Sequence, residues 1–270
     1  MVKTLKYYFK KAKKEKWAIG QFNFSNLEQL QAILTAAKSK KSPVIVGTSV
    51  KESQFIGLRQ AVALVNSFRE EKGLPIFLNL DHGRFLSYIK EAIDLGYQAV
   101  HFDGSELPLS ENIKITKQVI KYANQRGVIV EGEVGVVGKD LTKIEEVKKF
   151  IQQVKVDSLT TNIGTSHGIN PTNISFKILK EISDAVGQMP LVLHGGSGVS
   201  EKDIRAAIKL GIVKININTE IRMAYTNALK KVLKDNPLES TSYKYMPMVI
   251  SAVQNVVEEK MKLFGSINKI

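Results

Sequence analysis

Ile76-Phe-Leu-Asn-Leu-Asp-His-Gly83 is an apolar run that stops at two polar residues and a glycine. Such a run reads as a buried parallel strand feeding a tight loop. The same grammar returns in Leu159-Thr-Thr-Asn-Ile-Gly-Thr-Ser-His-Gly168 and in Leu191-Val-Leu-His-Gly-Gly-Ser-Gly198. Three of the four histidines of the chain, His82, His167 and His194, thus follow short apolar runs with glycine close behind. Three imidazoles at three strand ends can converge on one metal. Three protein ligands with an open fourth position is the coordination of a catalytic zinc. One such histidine would be read as part of a core. Three of four in one setting favour the metal.

Outward from these stretches, apolar runs alternate with amphipathic ones. Strands are expected at Ala18–Phe22, Val44–Gly47, Ile76–Leu80, Ala99–Phe102, Val128–Glu131, Ser158–Asn162, Leu191–Leu193 and Val213–Ile217. Between them lie segments with apolar residues three or four apart, such as Leu27–Lys38, Phe85–Leu95 and Glu201–Leu210. Ser200-Glu-Lys-Asp203 has the acid three residues after serine that marks a helix start. Ser110-Glu-Asn-Ile is expected to open another helix without that acid. Eight strand–helix units imply a parallel sheet, because parallel neighbours need crossovers. Eight is the number that closes an α/β (β/α)8 TIM barrel, here expected as a single domain over residues 1–270 with an additional C-terminal helix. A doubly wound open sheet is the rival, but it would not need polar groups after so many strands.

The 270 residues carry 39 Lys and Arg against 26 Asp and Glu, a net charge of +13. Lysines crowd the first helix, at Lys3, Lys6, Lys10, Lys11, Lys13, Lys14 and Lys16. A basic surface attracts nucleic acid or phosphorylated substrates. Here the basic residues lack aromatic interleaving and fit a solvated helix better, so no nucleic-acid partner is expected. There are no cysteines, which excludes disulfides and thiolate ligands. The N-terminus lacks the apolar stretch of a signal peptide and no run spans a bilayer, so a cytoplasmic protein without a membrane partner is expected.

In such a barrel the chemistry sits at the C-terminal strand ends. The polar residues fall there: Asp81 and His82, Asp103, Glu131 and Glu133, His167, His194, Asn216 and Asn218. Asp81 either caps a helix or stands beside a metal as a proton carrier, and its place before His82 favours the second. His194-Gly-Gly-Ser-Gly198 adds a glycine-rich turn before a helix start, where backbone N–H groups can bind an anion. It follows the seventh strand, and loops seven and eight are the usual phosphate site of these barrels. Lys214-Ile-Asn-Ile-Asn-Thr-Glu220 can complete that pocket, although Asn216 and Asn218 also fit as caps of the next helix. Glu131 and Glu133 share one strand face and need a metal or a base as partner. Glu133 is a candidate fourth or alternate ligand, and Asp103 a candidate for a second cation. His101 reads as a satisfied core histidine.

At these residues the chain resembles the class II, zinc-dependent fructose- and tagatose-bisphosphate aldolases. The match runs through Phe22-Asn-Phe-Ser-Asn-Leu-Glu-Gln29, Leu80-Asp-His-Gly83, Phe102-Asp-Gly-Ser105, Gly164-Thr-Ser-His-Gly168, Leu193-His-Gly-Gly-Ser-Gly198, Lys214–Glu220 and Glu259–Ser266. The resemblance implies a barrel working as a homodimer or homotetramer. It implies that His82, His167 and His194 hold the zinc, that Glu133 can ligate it when the metal shifts, and that Asp103 lies near the metal sites. Asp81 matches the aspartate that exchanges a proton with the hydroxyl of the aldehyde-derived half. Gly168, Gly195, Ser197 and Asn216 to Thr219, including Asn218, match the segment that binds dihydroxyacetone phosphate and often a monovalent cation, Na+ or K+. Asn23 and Ser49 match polar residues of the cleft. The implied reaction is reversible aldol cleavage, with zinc polarising the ketone.

Two departures stand out. The family continues the turn after Glu133 into a long mobile loop whose glutamate exchanges the substrate carbon proton. Here Glu133-Val-Gly-Val-Val-Gly-Lys-Asp-Leu-Thr142 runs almost directly into a helix, leaving Asp140, Glu145 and Glu146 as substitutes. The family's arginine before the last helix is also missing, and Thr241-Ser-Tyr-Lys-Tyr245 offers only Lys244. A weakly active or non-catalytic sugar-phosphate binder is the alternative that the short loop suggests. A Schiff-base aldolase would need a lysine at the chemical centre, and Lys214 is the only barrel lysine worth testing for that role.

Overall fold

The computed structural model describes residues 3–270. Eight strands, β1 Ile19–Asn23, β2 Val44–Ser49, β3 Ile76–Gly83, β4 Ala99–Phe102, β5 Ile129–Val134, β6 Ser158–Thr161, β7 Leu191–Leu193 and β8 Ile212–Ile217, pair in chain order. All neighbours are parallel, and β1 closes the barrel against β8. The helices are α1 Leu5–Glu15, α2 Leu27–Lys40, α3 Val50–Ile56, α4 Leu58–Lys72, α5 Leu86–Leu95, α6 Leu109–Asn124, α7 Ile144–Gln153, α8 Phe176–Val186, α9 Glu201–Lys209, α10 Thr219–Asp235 and α11 Ser242–Phe264. The expected TIM barrel with an additional C-terminal helix is the fold; α11 is that helix, and it packs on α2 and α10. No helix among the described residues is long and apolar enough to cross a membrane.

Helix starts follow local chemistry. Ser200 accepts the Asp203 N–H at 3.2 Å and caps α9 as expected. Ser110 does not open a helix: α6 already includes it, and Pro108, at φ −52°, holds the N-cap without a side-chain bond. The ring fixes that φ and needs no donor, so it starts the helix unaided.

The two barrel mouths differ. Below, α1 lays Leu5, Tyr8, Phe9 and Ala12 onto Ile19, Ile45, Phe77, Ala99 and Val213 at the N-terminal strand ends. Its lysines point away, apart from specific ties such as Lys6 to Asp157 at 2.8 Å. The lysine crowding is thus the outer face of a plug, as the solvated reading expects. Above, β3 runs through Gly83 and β5 through Val134, each three residues past the sequence estimate. These extensions carry the polar residues into the upper barrel.

Candidate active site

Asp81 is buried at the centre of the upper mouth. Asn23 Nδ2 donates to its Oδ2 at 3.0 Å and Asn216 Nδ2 to its Oδ1 at 3.1 Å. It lies in β3, opposite Ser49 of β2, so it caps no helix. Burial alone would raise its pKa. The charge of His82 and the contact with His101 outweigh that and hold it well below the ordinary carboxylate value.

Two of the predicted histidines meet nose to nose. His82 Nε2 and His194 Nδ1 are 3.0 Å apart. On the far side of each ring stands a buried carboxylate: Asp103 Oδ2 at 3.1 Å from His82 Nδ1, and Glu131 Oε1 at 2.9 Å from His194 Nε2. Each carboxylate claims the outer N–H. The two inner nitrogens are left to share one proton or one metal. Tetrahedral zinc places its nitrogen ligands about 3.3 Å apart, so the pair fits such an ion with little adjustment. His167 joins from the exposed loop after β6, its ring 5.3 Å from that of His82 and 6.5 Å from that of His194. Desolvation, aided by the charge of His82, lowers the pKa of His167 and His194 and favours the neutral, metal-binding form. His82 goes the other way: burial lowers it, but Asp81 and Asp103 together raise it.

The two acids of β5 have separate partners. Glu131 receives Lys214 Nζ at 2.6 Å, Thr160 Oγ1 at 2.9 Å and the His194 ring. Burial would raise its pKa, and the Lys214 and His101 charges pull it far below normal. Lys214 is buried in that ion pair. Glu133 Oε2 lies 3.9 Å from His82 Nδ1 and 3.0 Å from His101 Nε2. His82, Asp103 and Glu133 form one potential ligand group, and Asp81, His82, His101 and His194 another. Asp103 also takes Ser105 Oγ at 2.6 Å and Arg84 at 3.2 Å, so its oxygens are largely used.

His101 is not the satisfied core residue expected. It is fully buried, with ring centroids 4.8 Å from His82 and 4.9 Å from His194. Its Nε2 has no well-formed hydrogen bond. Glu52 was missed altogether. From the capping box of α3 its carboxylate receives Ser49 N–H at 2.7 Å, Asn23 Nδ2 at 3.0 Å and Asn218 Nδ2 at 3.0 Å. A Ser-x-x-Glu pattern at Ser49 was its only sequence signal. Asn218 stands at the N-cap of α10 but makes no cap bond, because its amide serves Glu52.

A pocket of about 100 Å³ lies over these groups. Ser49, Asp81 and the three histidines line one part of it. Gly168, Gly195, Ser197, Asn216, Asn218 and Thr219 line the rest, and Asn23 stands behind Asp81. Gly195 has φ +68°, and a Cβ there would strike the Ser166 carbonyl. Only glycine fits that turn beside the His167 loop.

The short loop after β5 is pinned. Asn162 Nδ2 is shared by the carbonyls of Val136, Lys139 and Asp140, and Thr142 Oγ1 donates to Val134 O at 2.9 Å. Asp140 and Glu146 line a different cavity, of about 370 Å³, and Glu145 is exposed on α7. None of the three lines the histidine pocket. Lys244 is exposed and pairs with Glu239 at 3.1 Å.

The model of the family "Fructose-bisphosphate aldolase class-II" matches residues 3–269. The chain belongs to the class II fructose-bisphosphate aldolase family. This family member is 37% identical to a fructose-bisphosphate aldolase of Streptococcus pneumoniae, with 94% of each chain covered. It is 39% identical to a 6-phospho-5-dehydro-2-deoxy-D-gluconate aldolase of Bacillus licheniformis, covering 98% of this chain and 96% of that one. The crystal structure of the YdjI aldolase of Escherichia coli K12 superposes with a TM-score of 0.91 at 33% identity, covering 100% and 99% of the two chains. The curated relatives are named as aldolases, which supports a lyase and does not favour a purely binding role.

Proposed function

We propose that this chain acts as one domain that cleaves a ketose 1,6-bisphosphate, fructose or tagatose bisphosphate, reversibly and with zinc. The products are dihydroxyacetone phosphate and glyceraldehyde 3-phosphate. The observation that carries the reading is the facing pair His82 Nε2 and His194 Nδ1, each backed by a carboxylate, beside a buried Asp81. His82, His194 and His167 would hold the zinc, with Glu133 as an alternate ligand and Asp103 orienting His82. When bound, zinc supplies a Lewis acid for the ketone oxygen. Asp81, kept ionised by the His82 charge and the His101 contact and oriented by its two asparagine donors, takes the C4 hydroxyl proton as the C3–C4 bond breaks and returns it in condensation. Gly168, Gly195, Ser197 and the Asn216–Thr219 turn hold the substrate phosphate and a monovalent cation. Binding there, remote from the breaking bond, positions the ketone end. Glu52 fixes Asn23 and Asn218 on either side. The protein works in the cytoplasm as a homodimer or homotetramer.

The Bacillus licheniformis relative gives a second substrate reading. Its named substrate carries a 5-ketone and a 6-phosphate, so a retro-aldol cut of the C3–C4 bond, between the carbons α and β to the ketone, also releases dihydroxyacetone phosphate. The two readings share the phosphate pocket and differ only in the aldehyde half. Zinc-loaded protein should be assayed on fructose bisphosphate, tagatose bisphosphate and 6-phospho-5-dehydro-2-deoxygluconate, with dihydroxyacetone phosphate measured. Zinc-dependent release from a ketose bisphosphate is expected. Release from the deoxygluconate alone would transfer the assignment to it, and release from none would sink both.

A further inference from the structure

Asp81 and His82 are adjacent, yet both face the pocket. In a regular strand neighbouring side chains point to opposite faces. The register explains the exception. Leu80 pairs with Val100 and Gly83 with Phe102. Two residues of β3, Asp81 and His82, therefore oppose a single residue of β4, His101. This is a β-bulge, and it re-aims a side chain. His82 pays with a left-handed backbone, φ +53°, which is unusual for any residue but glycine.

A bulge leaves a strand N–H without a ladder acceptor. Here the His82 N–H is taken by the ring of His101, at 3.2 Å from Nδ1. Burial opposes a charge on His101, and the Asp81, Glu131 and Glu133 carboxylates outweigh it and raise its pKa. Yet a backbone N–H aimed at Nδ1 can be accepted only by the neutral ring, and that geometry decides. The His82 bond fixes the tautomer, because a nitrogen that accepts cannot carry a proton. Nε2 then bears the hydrogen. It faces Glu133 Oε2 at 3.0 Å, obliquely, and both atoms are otherwise unpartnered and buried.

We propose that His101 is a positioning residue that fixes the Asp81–His82 bulge, so that a proton carrier and a metal ligand from consecutive positions share one pocket. It does this through a side chain where the ladder offers no backbone acceptor. Its second nitrogen restrains Glu133 on the other side of His82. This rests on the proposed zinc role of His82.

The two nitrogens can be tested separately. The Oδ1 of asparagine sits where the histidine Nδ1 sits, whereas glutamine reaches only the Nε2 position. Zinc affinity would be measured by competition with a chromophoric chelator for the parent, His101→Asn, His101→Gln and His101→Leu. Thermal unfolding of the metal-free proteins and hydrogen exchange of the His82 amide would accompany it. Loss of an outer-shell partner weakens metal binding about 10–100-fold. That loss is expected in His101→Gln and His101→Leu, with a fast-exchanging His82 amide. His101→Asn should keep most of the affinity and a protected amide. Parental zinc affinity in His101→Leu would overturn the proposal, as would equal losses in the Asn and Gln variants. If His101→Leu fails to fold, the Asn and Gln pair decides alone. A parent protein that binds no zinc would instead defeat the functional reading.

Discussion

The lower mouth of the barrel is sealed with hydrocarbon, and the upper mouth is built of charge. At the bottom, Phe9 and its helix neighbours bury apolar surface on Phe77, Ile45 and Val213, and the cluster encloses no charged side chain. At the top, Asp81, Asp103, Glu131, Glu133, His101, His194 and Lys214 are all buried, and each has an oppositely charged or hydrogen-bonding neighbour. Enclosing that many charges opposes folding unless they are paired, so the upper mouth is held together by pairing rather than by burial alone. The same strands serve both ends. One end stabilises the barrel, and the other exploits the stability to hold groups that would repel one another.

The contrast can be broken most severely from above. Removing zinc with a chelator, or making His194→Ala, should take cleavage activity to the detection floor while far-ultraviolet circular dichroism stays that of a barrel. Stoichiometric zinc retained by His194→Ala would remove that residue from the ligand set. Asp81→Ala should come next, with cleavage slowed about 10²–10⁴-fold and zinc retained. Full activity in a folded, zinc-loaded Asp81→Ala protein would refute its proton-carrying role.

From below the effect should be smaller and of another kind. Phe9→Ala removes a buried ring and should cost about 3–5 kcal/mol of stability. Denaturant unfolding should show it, with kcat unchanged under folding conditions. A large fall in kcat would mean that the plug communicates with the site. Lys10→Ala, on the exposed face of the same helix, should change stability by less than about 0.5 kcal/mol and leave activity alone. A loss of several kcal/mol would show that the lysine face is more than solvated surface.

The short β5 loop adds a test between these extremes. None of its acids lines the pocket. Solvent deuterium should therefore enter dihydroxyacetone phosphate slowly in the unmodified protein. Rapid exchange would show that Asp140, Glu145 or Glu146 reaches the substrate after all, and would single them out for substitution.

By itself the sequence determined the barrel, because eight apolar runs separated by amphipathic segments leave few other ways to bury both strand faces. It also placed the pocket, because polar residues and glycines recur at one end of successive runs. His82, His167, His194, Asp81 and Gly195 were legible for that reason. What the sequence did not contain was the direction of each side chain. Simple alternation puts Asp81 and His82 on opposite faces, and only the bulge opposite His101 brings them to one side. Taken alone, His101 looked like core, since nothing local shows that β3 has two residues where β4 has one. Glu52 lay hidden in a helix cap, because its partners Asn23, at the end of β1, and Asn218, just after β8, meet only when β1 closes on β8. Periodicity is a local property of the chain, whereas the pairing of buried charges depends on register between strands far apart in sequence, and only the closed barrel fixes that register.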